Sequence, residues 1–111
     1  MAGIEEIKTE DFEALVLKSD IPVFVDFHAT WCGPCKAMMP ALEDMALEYA
    51  GEVKIVKVDI DAEPKIAETY NILGVPTFIM MQGGEAKERL SGGMTRGKLA
   101  AVFERFVGGA Q

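Results

Sequence analysis

The chain has 111 residues, half of them apolar, enough for one ordinary domain to bury a core without a structural metal or a framework of several disulfides. Eleven basic residues against eighteen acidic leave a formal charge of −7, which disfavours nucleic acid and anionic membrane surfaces as partners. With one His and two Cys, a four-ligand metal site would need carboxylates to complete it, so metal binding is the weakest functional reading.

The stretch from Met1 to Glu6 has neither the basic nor the apolar segment of a secretory leader, and no run approaches the roughly 18 apolar residues that span a bilayer. The expectation is a soluble, cytoplasmic protein in a reducing compartment, where static disulfides are rare. Ile4 to Ile7 reads as a short edge strand. Thr9 is expected to cap a helix that begins with Glu10 and Asp11 and buries Phe12, Leu15 and Val16 at i, i+3 and i+4. Ile21 to Phe27 is a nearly continuous β-branched and aromatic run, the pattern of a central strand covered on both faces.

A helical pattern starts near Cys35 and ends near Gly51, with Met38, Leu42, Met45 and Tyr49 recurring along one face. Pro40 falls inside it, removes the backbone bond to the Lys36 carbonyl and is expected to kink the axis. Val53 to Val58 is a second apolar strand interrupted by Lys57, and Asp59 to Pro64 turns into a short helix burying Ile66, Ala67 and Tyr70. Gly74-Val75-Pro76 breaks the chain before a hairpin of Thr77 to Met81 and Glu85 to Leu90, turned by Gly83-Gly84. A last helix is capped by Thr95 and buries Leu99, Val102, Phe103 and Phe106. The order β-α-β-α-β-α-β-β-α predicts a single α/β domain over residues 1–111, with parallel strands followed by an antiparallel hairpin and helices on both faces.

Both cysteines lie in Thr30-Trp31-Cys32-Gly33-Pro34-Cys35-Lys36, two residues apart at the end of the apolar strand. A disulfide across so short a loop removes little unfolded-state entropy, about 2 kcal/mol against about 3 for a 15-residue loop, so it is a poor staple. Two thiols at i and i+3 in the first turn of a helix can bond with little backbone movement, and one thiolate can attack a disulfide made by the other. Their closeness suits exchange chemistry.

With Asp26, Trp31-Cys32-Gly33-Pro34-Cys35-Lys36, Pro40, Lys57, the Val75-Pro76-Thr77 turn and Gly84 and Gly92, the chain resembles the thioredoxin family from the first strand to the last helix. The resemblance implies a central mixed five-stranded sheet flanked by four helices. It also implies a disulfide reductase with no bound cofactor beyond a redox-active Cys32-Cys35 disulfide, acting as a monomer on disulfide-containing proteins and re-reduced by thioredoxin reductase. Gly33 and Pro34 between the cysteines are typical of the reductant branch of this superfamily, whereas oxidants and isomerases more often carry a His before the second cysteine. Trp31, Ile60, Gly74, Val75, Pro76, Gly92 and Gly93 are implied to form a flat apolar rim around an exposed Cys32, with Pro76 in the cis form. The chain departs from the family at His28, where an aromatic residue is usual, and at Met80 and Met81.

Cys32, at the start of the second helix, meets unpaired backbone amides and the positive end of the dipole, so its thiol is expected to ionise below the roughly 8.5 of free cysteine and to act as nucleophile. Cys35, one turn deeper, is the expected resolving thiol. Asp26, between Val25 and Phe27, is expected to be poorly solvated, which raises a carboxyl pKa and suits it to shuttle the Cys35 proton, with Lys57 on the next strand modulating its charge. The competing reading is a buried aspartate satisfied by Lys57 or by backbone amides. His28 projects to the same side of the strand as Asp26, either with a proton role or as a polar filler. Two other functions remain open: an oxidant or isomerase, decided by the potential, and a docking module with incidental thiols, which would survive replacement of both cysteines by serine.

Overall fold

The computed structural model describes residues 4–108; residues 1–3 of the amino-terminal stretch and residues 109–111 lie outside it. The apolar run in the first third of the chain forms β2 (Val23–His28), the middle strand of a five-stranded sheet ordered β1-β3-β2-β4-β5. On one side β2 pairs parallel with β3 (Lys54–Asp59), and β3 in turn pairs parallel with the two-residue edge strand β1 (Glu5–Glu6). On the other side β2 runs antiparallel to β4 (Thr77–Gln82), which turns at Gly83-Gly84 into β5 (Glu85–Ser91). Both turn glycines have positive φ, 62° and 81°, which a side chain tolerates poorly.

The near-continuous apolar run of β2 is explained by cover on both faces. Phe24 points with Ile55, Phe78 and Met80 to the layer formed by α2 (Gly33–Glu48) and α4 (Arg96–Glu104), where Leu42, Met45, Leu99 and Phe103 are fully buried. Val23, Val25 and Phe27 point the other way, with Val56, Val58, Ile79 and Met81, onto α1 (Thr9–Phe12) and α3 (Pro64–Thr69). Four helices therefore cover a mixed sheet. The two methionines that depart from the family pattern occupy both layers, Met80 on one and Met81 on the other, at a register shift between β4 and β5.

Several boundaries differ from the sequence expectation. Thr9 does not cap α1 but begins it, because its N–H and hydroxyl both donate to Glu63 Oε1, at 2.9 and 2.8 Å, and Lys8 takes the cap position without a side-chain bond. Beyond Phe12 the helix widens into a π-helical segment, Glu13–Leu17, closed by the Lys18 N–H on the Glu13 carbonyl. α2 begins at Gly33, before Cys35, and continues through Pro40 to Glu48. Thr95 caps α4 as expected, accepting the Lys98 N–H at 3.2 Å, whereas Phe106 lies past the helix end and still packs on the core.

Candidate active site

The carboxyl end of β2 delivers the chain to α2 through Ala29-Thr30-Trp31, a turn closed by the Cys32 N–H on the Ala29 carbonyl at 3.2 Å. Cys32 is the N-cap of α2, in extended conformation (φ −89°, ψ 107°), and its Sγ accepts the Cys35 N–H at 3.1 Å, the bond a capping Ser or Asp would make. Pro34 in the first turn contributes no N–H, so this cap is directed at the sulfur by Cys35 itself. The Cα atoms of Cys32 and Cys35 are 5.3 Å apart and the sulfurs are bonded. Each cysteine is 3% exposed, packed with Ala29 against Ile60 and Val75. The expectation of an exposed Cys32 is corrected accordingly: in the disulfide it is buried, its sulfur engaged by Cys35, within a cluster against which Ile60 and Val75 pack.

The second wall comes from the start of β4. The Val75–Pro76 bond is cis, the isomer that the resemblance implies. Thr77 Oγ1 donates to the Gly74 carbonyl at 2.6 Å, and the Gly92 N–H donates to the Pro76 carbonyl at 2.9 Å. Gly74, Val75, Pro76 and Gly92 line one groove of about 420 Å³, together with the exposed Leu73 and with Arg89. The Arg89 guanidinium donates to the carbonyls of Tyr70 and Asn71, each at 2.6 Å, and so ties β5 to the end of α3. A Cβ on Gly93 would lie 4.0 Å from the Pro34 Cβ, which places the turn after β5 against the cysteine turn.

A charged row crosses the sheet on three strands. Asp26 lies in register with Lys57 on β3, and Lys57 with Glu6 on β1. Asp26 is 1% exposed, and among the described residues its Oδ1 has no hydrogen-bond partner. Burial pushes its pKa up from 3.8 to about 6, against the opposing charges of His28 and then Lys57, while Glu6 adds to the rise. Lys57 Nζ lies 4.0 Å from Glu6 Oε1, and His28 Nε2 lies 3.1 Å from Glu6 Oε2. His28, Lys57 and Cys35 border a common cavity of about 360 Å³ behind the disulfide.

Residues 3–105 match the sequence model of the thioredoxin family. The chain belongs to that family. It is 45% identical over 106 residues to Thioredoxin C-2 of Corynebacterium nephridii, covering 96% of this chain and 98% of that one. Identity is 35% over 107 residues to Thioredoxin 1 of a Nostoc species, covering 96% of this chain and all of that protein. Against the chloroplastic Thioredoxin M-type of Spinacia oleracea it is 36% over 104 residues, 94% of this chain but 58% of that longer protein. The chain thus spans nearly the full length of the two bacterial relatives and little more than half of the plant one.

As in a thioredoxin-family disulfide oxidoreductase, Cys32 and Cys35 form the redox-active pair of a C-x-x-C motif. The family uses no further cofactor; among the described residues no group of three or more His, Cys, Asp or Glu is placed to hold a metal ion. Trp31 stands beside the pair with 67% of its surface exposed, held by its indole N–H on Asp61 Oδ2 at 2.8 Å, while Asp59 Oδ1 accepts the backbone N–H groups of Asp61 and Ala62. Ile60, between these aspartates, is brought to the cysteines together with Val75. Sequence reasoning missed Asp61, Arg89 and Glu6 as parts of this site. No motif marks them; the first two act by bonds across the fold, and Glu6 reaches His28 over the intervening β3.

Proposed function

We propose that the chain, working as one monomeric domain over residues 1–111, reduces disulfides in other proteins by dithiol–disulfide exchange and is itself re-reduced by a thioredoxin reductase. The supporting observation is the asymmetry of the two sulfurs. Cys32 caps α2 with its sulfur toward the Cys35 N–H and lies next in the chain to the exposed Trp31, whereas Cys35 borders the inner cavity with His28 and Lys57. An amide directed at Cys32 Sγ stabilises a thiolate there, so Cys32 is the nucleophile and Cys35 the resolving thiol. Asp26 accepts the proton of Cys35 as it attacks, gives it up to water, and supplies a proton again on re-reduction; Lys57, in register with it, tunes its charge. Trp31, Ile60, Gly74, Val75, Pro76, Gly92 and Gly93 receive an extended substrate segment, with Gly33 and Pro34 setting the turn that presents Cys32. A cytoplasmic location belongs to the same reading, supported by the two bacterial relatives matched over nearly their full length; no helix among the described residues is long and apolar enough to cross a membrane.

Trapping tests the order of attack. A Cys35→Ser variant is expected to accumulate a covalent complex with a disulfide-bonded test protein, and Cys32→Ser none; the reverse pattern would overturn the assignment. Direction is tested by equilibrating the pair with glutathione buffers. A potential more oxidising than about −180 mV, the range of isomerases, would mean that the protein oxidises rather than reduces.

A further inference from the structure

On the reading above, Asp26 exchanges a proton with water in every cycle, yet its own rung of the sheet is closed by Phe78 on β4 and Lys57 on β3. Two residues along the same face of β2, about 7 Å away by the strand rise, stands His28. Its side chain is 13% exposed, and it borders the cavity that Cys35 also borders, large enough to hold water. We propose that His28 relays the proton between Asp26 and solvent while Cys35 resolves the mixed disulfide, with Glu6 holding the ring. This rests on the role given to Asp26.

The surrounding charges fit a relay. Glu6 on β1 lies within hydrogen-bond distance of Nε2; Lys57 on β3 is 4.0 Å from the other oxygen of Glu6. Asp59 on β3 is the register partner of His28, and its Oδ1 accepts two backbone N–H groups; Lys36 on α2 borders the same cavity, and Asp26 completes the set from β2 itself. A carboxylate at Nε2 can only accept, so Nε2 carries the hydrogen and Nδ1 is left as the proton-accepting nitrogen. As Cys35 Sγ loses its proton to the Asp26 carboxylate, it bonds to Cys32 Sγ, and the substrate sulfur leaves with the electron pair. Asp26 then passes the proton, through water, to His28 Nδ1; the imidazolium formed beside Glu6 gives that Nδ1 proton on to water open to solvent, so Nε2 keeps its bond to Glu6 and Nδ1 is free again for the next cycle. The dithiol supplies the two electrons that reduce the substrate disulfide.

The test uses full-length protein carrying a thionitrobenzoate mixed disulfide on Cys32, with resolution read as release of the coloured thiol across about pH 5 to 8. His28→Gln keeps an N–H for Glu6 but cannot relay; it is expected to slow resolution about tenfold or more near neutral pH, and added imidazole is expected to restore the rate. A rate within about twofold of the parent at every pH, or a slowing that imidazole does not relieve, overturns the relay. If Asp26→Asn is slowed while His28→Gln is not, the relay alone fails; if Asp26→Asn resolves at the parent rate, the Asp26 reading fails first. Should His28→Gln not fold, Glu6→Gln on the exposed edge strand provides the second variant: imidazole-relieved slowing supports the relay, and an unchanged rate overturns it.

Discussion

Replacing Asp26 by Asn should stabilise the oxidised protein at neutral pH and do nothing for it in acid. The carboxyl is buried with its pKa raised from 3.8 to about 6, so the folded state holds the proton more tightly than the unfolded chain does. Below pH 3.8 both states are protonated and the group costs nothing. As pH rises from there to about 6 the unfolded chain ionises freely while the folded one resists, and stability falls; above 6 the loss is complete. At about 1.4 kcal/mol for each pH unit, the full loss is about 3 kcal/mol. An asparagine of the same shape carries no such dependence. The assay is urea unfolding of the disulfide form of both proteins at a series of pH values, with the difference in free energy taken at each. Exposed carboxylates titrate in both proteins and cancel in that difference. It should grow from near zero at low pH to about 3 kcal/mol at pH 7.5, with its midpoint between the two pKa values. A difference that stays constant with pH would refute the claim that Asp26 is ionised at a cost in the fold.

Three further outcomes follow from the packing and the site. Trp31→Ala removes a ring that is mostly solvent-exposed, so thermal stability should change little, within about 0.5 kcal/mol, while KM for protein disulfides rises; an unchanged KM would remove Trp31 from the contact surface. Tyr49 donates its hydroxyl to Glu104 at 2.7 Å, which holds its pKa up at about 12, and burial raises Tyr70 as well. Absorbance titration should therefore show less phenolate at pH 10 than the half expected of free tyrosine, and Tyr49→Phe should cost about 1 kcal/mol in unfolding experiments; half or more of the phenolate signal at pH 10 would contradict these environments. Phe103→Ala empties a fully buried site where Phe24 and Tyr49 meet it edge-on at 4.7 and 5.1 Å and should cost about 3 to 5 kcal/mol by chemical denaturation; a cost under about 1 would mean that the α4 layer repacks freely.

The parts of the molecule legible in the sequence are those where one residue type has few uses. The apolar run of β2 could only be a covered strand, and the hexapeptide from Trp31 to Lys36 marks the redox pair without help from the rest of the chain. Asp26 was readable because a carboxyl between Val25 and Phe27 has nowhere solvated to go. What was illegible depends on partners distant in sequence. Thr9 has every local mark of a cap, but Glu63, 54 residues away, takes both of its donors. Glu6 looks like one more surface acid until the register of β1 on β3 sets it beside Lys57 and within reach of His28. Burial of Cys32 is illegible for the same reason, since Ile60 and Val75 pack against its cluster from two different loops.

The direction of β4 separates the thiol pair from the rest of its surroundings in the order of the chain. Because β4 opposes β2, Thr77 at its beginning pairs with Phe27 near the end of β2, and the Val75–Pro76 turn is delivered to the same end of the strands as the cysteines. A parallel β4 would have left that turn at the far end. The cysteines themselves are a local pair, three residues apart, and need only the first turn of α2 to meet. Their surroundings need a chain reversal across some forty residues. Damage to the hairpin, for instance at Gly84 with its φ of 81° and the Leu17 carbonyl 3.4 Å from where a Cβ would sit, bears on the placement of the Val75–Pro76 turn and not on the local meeting of the two thiols.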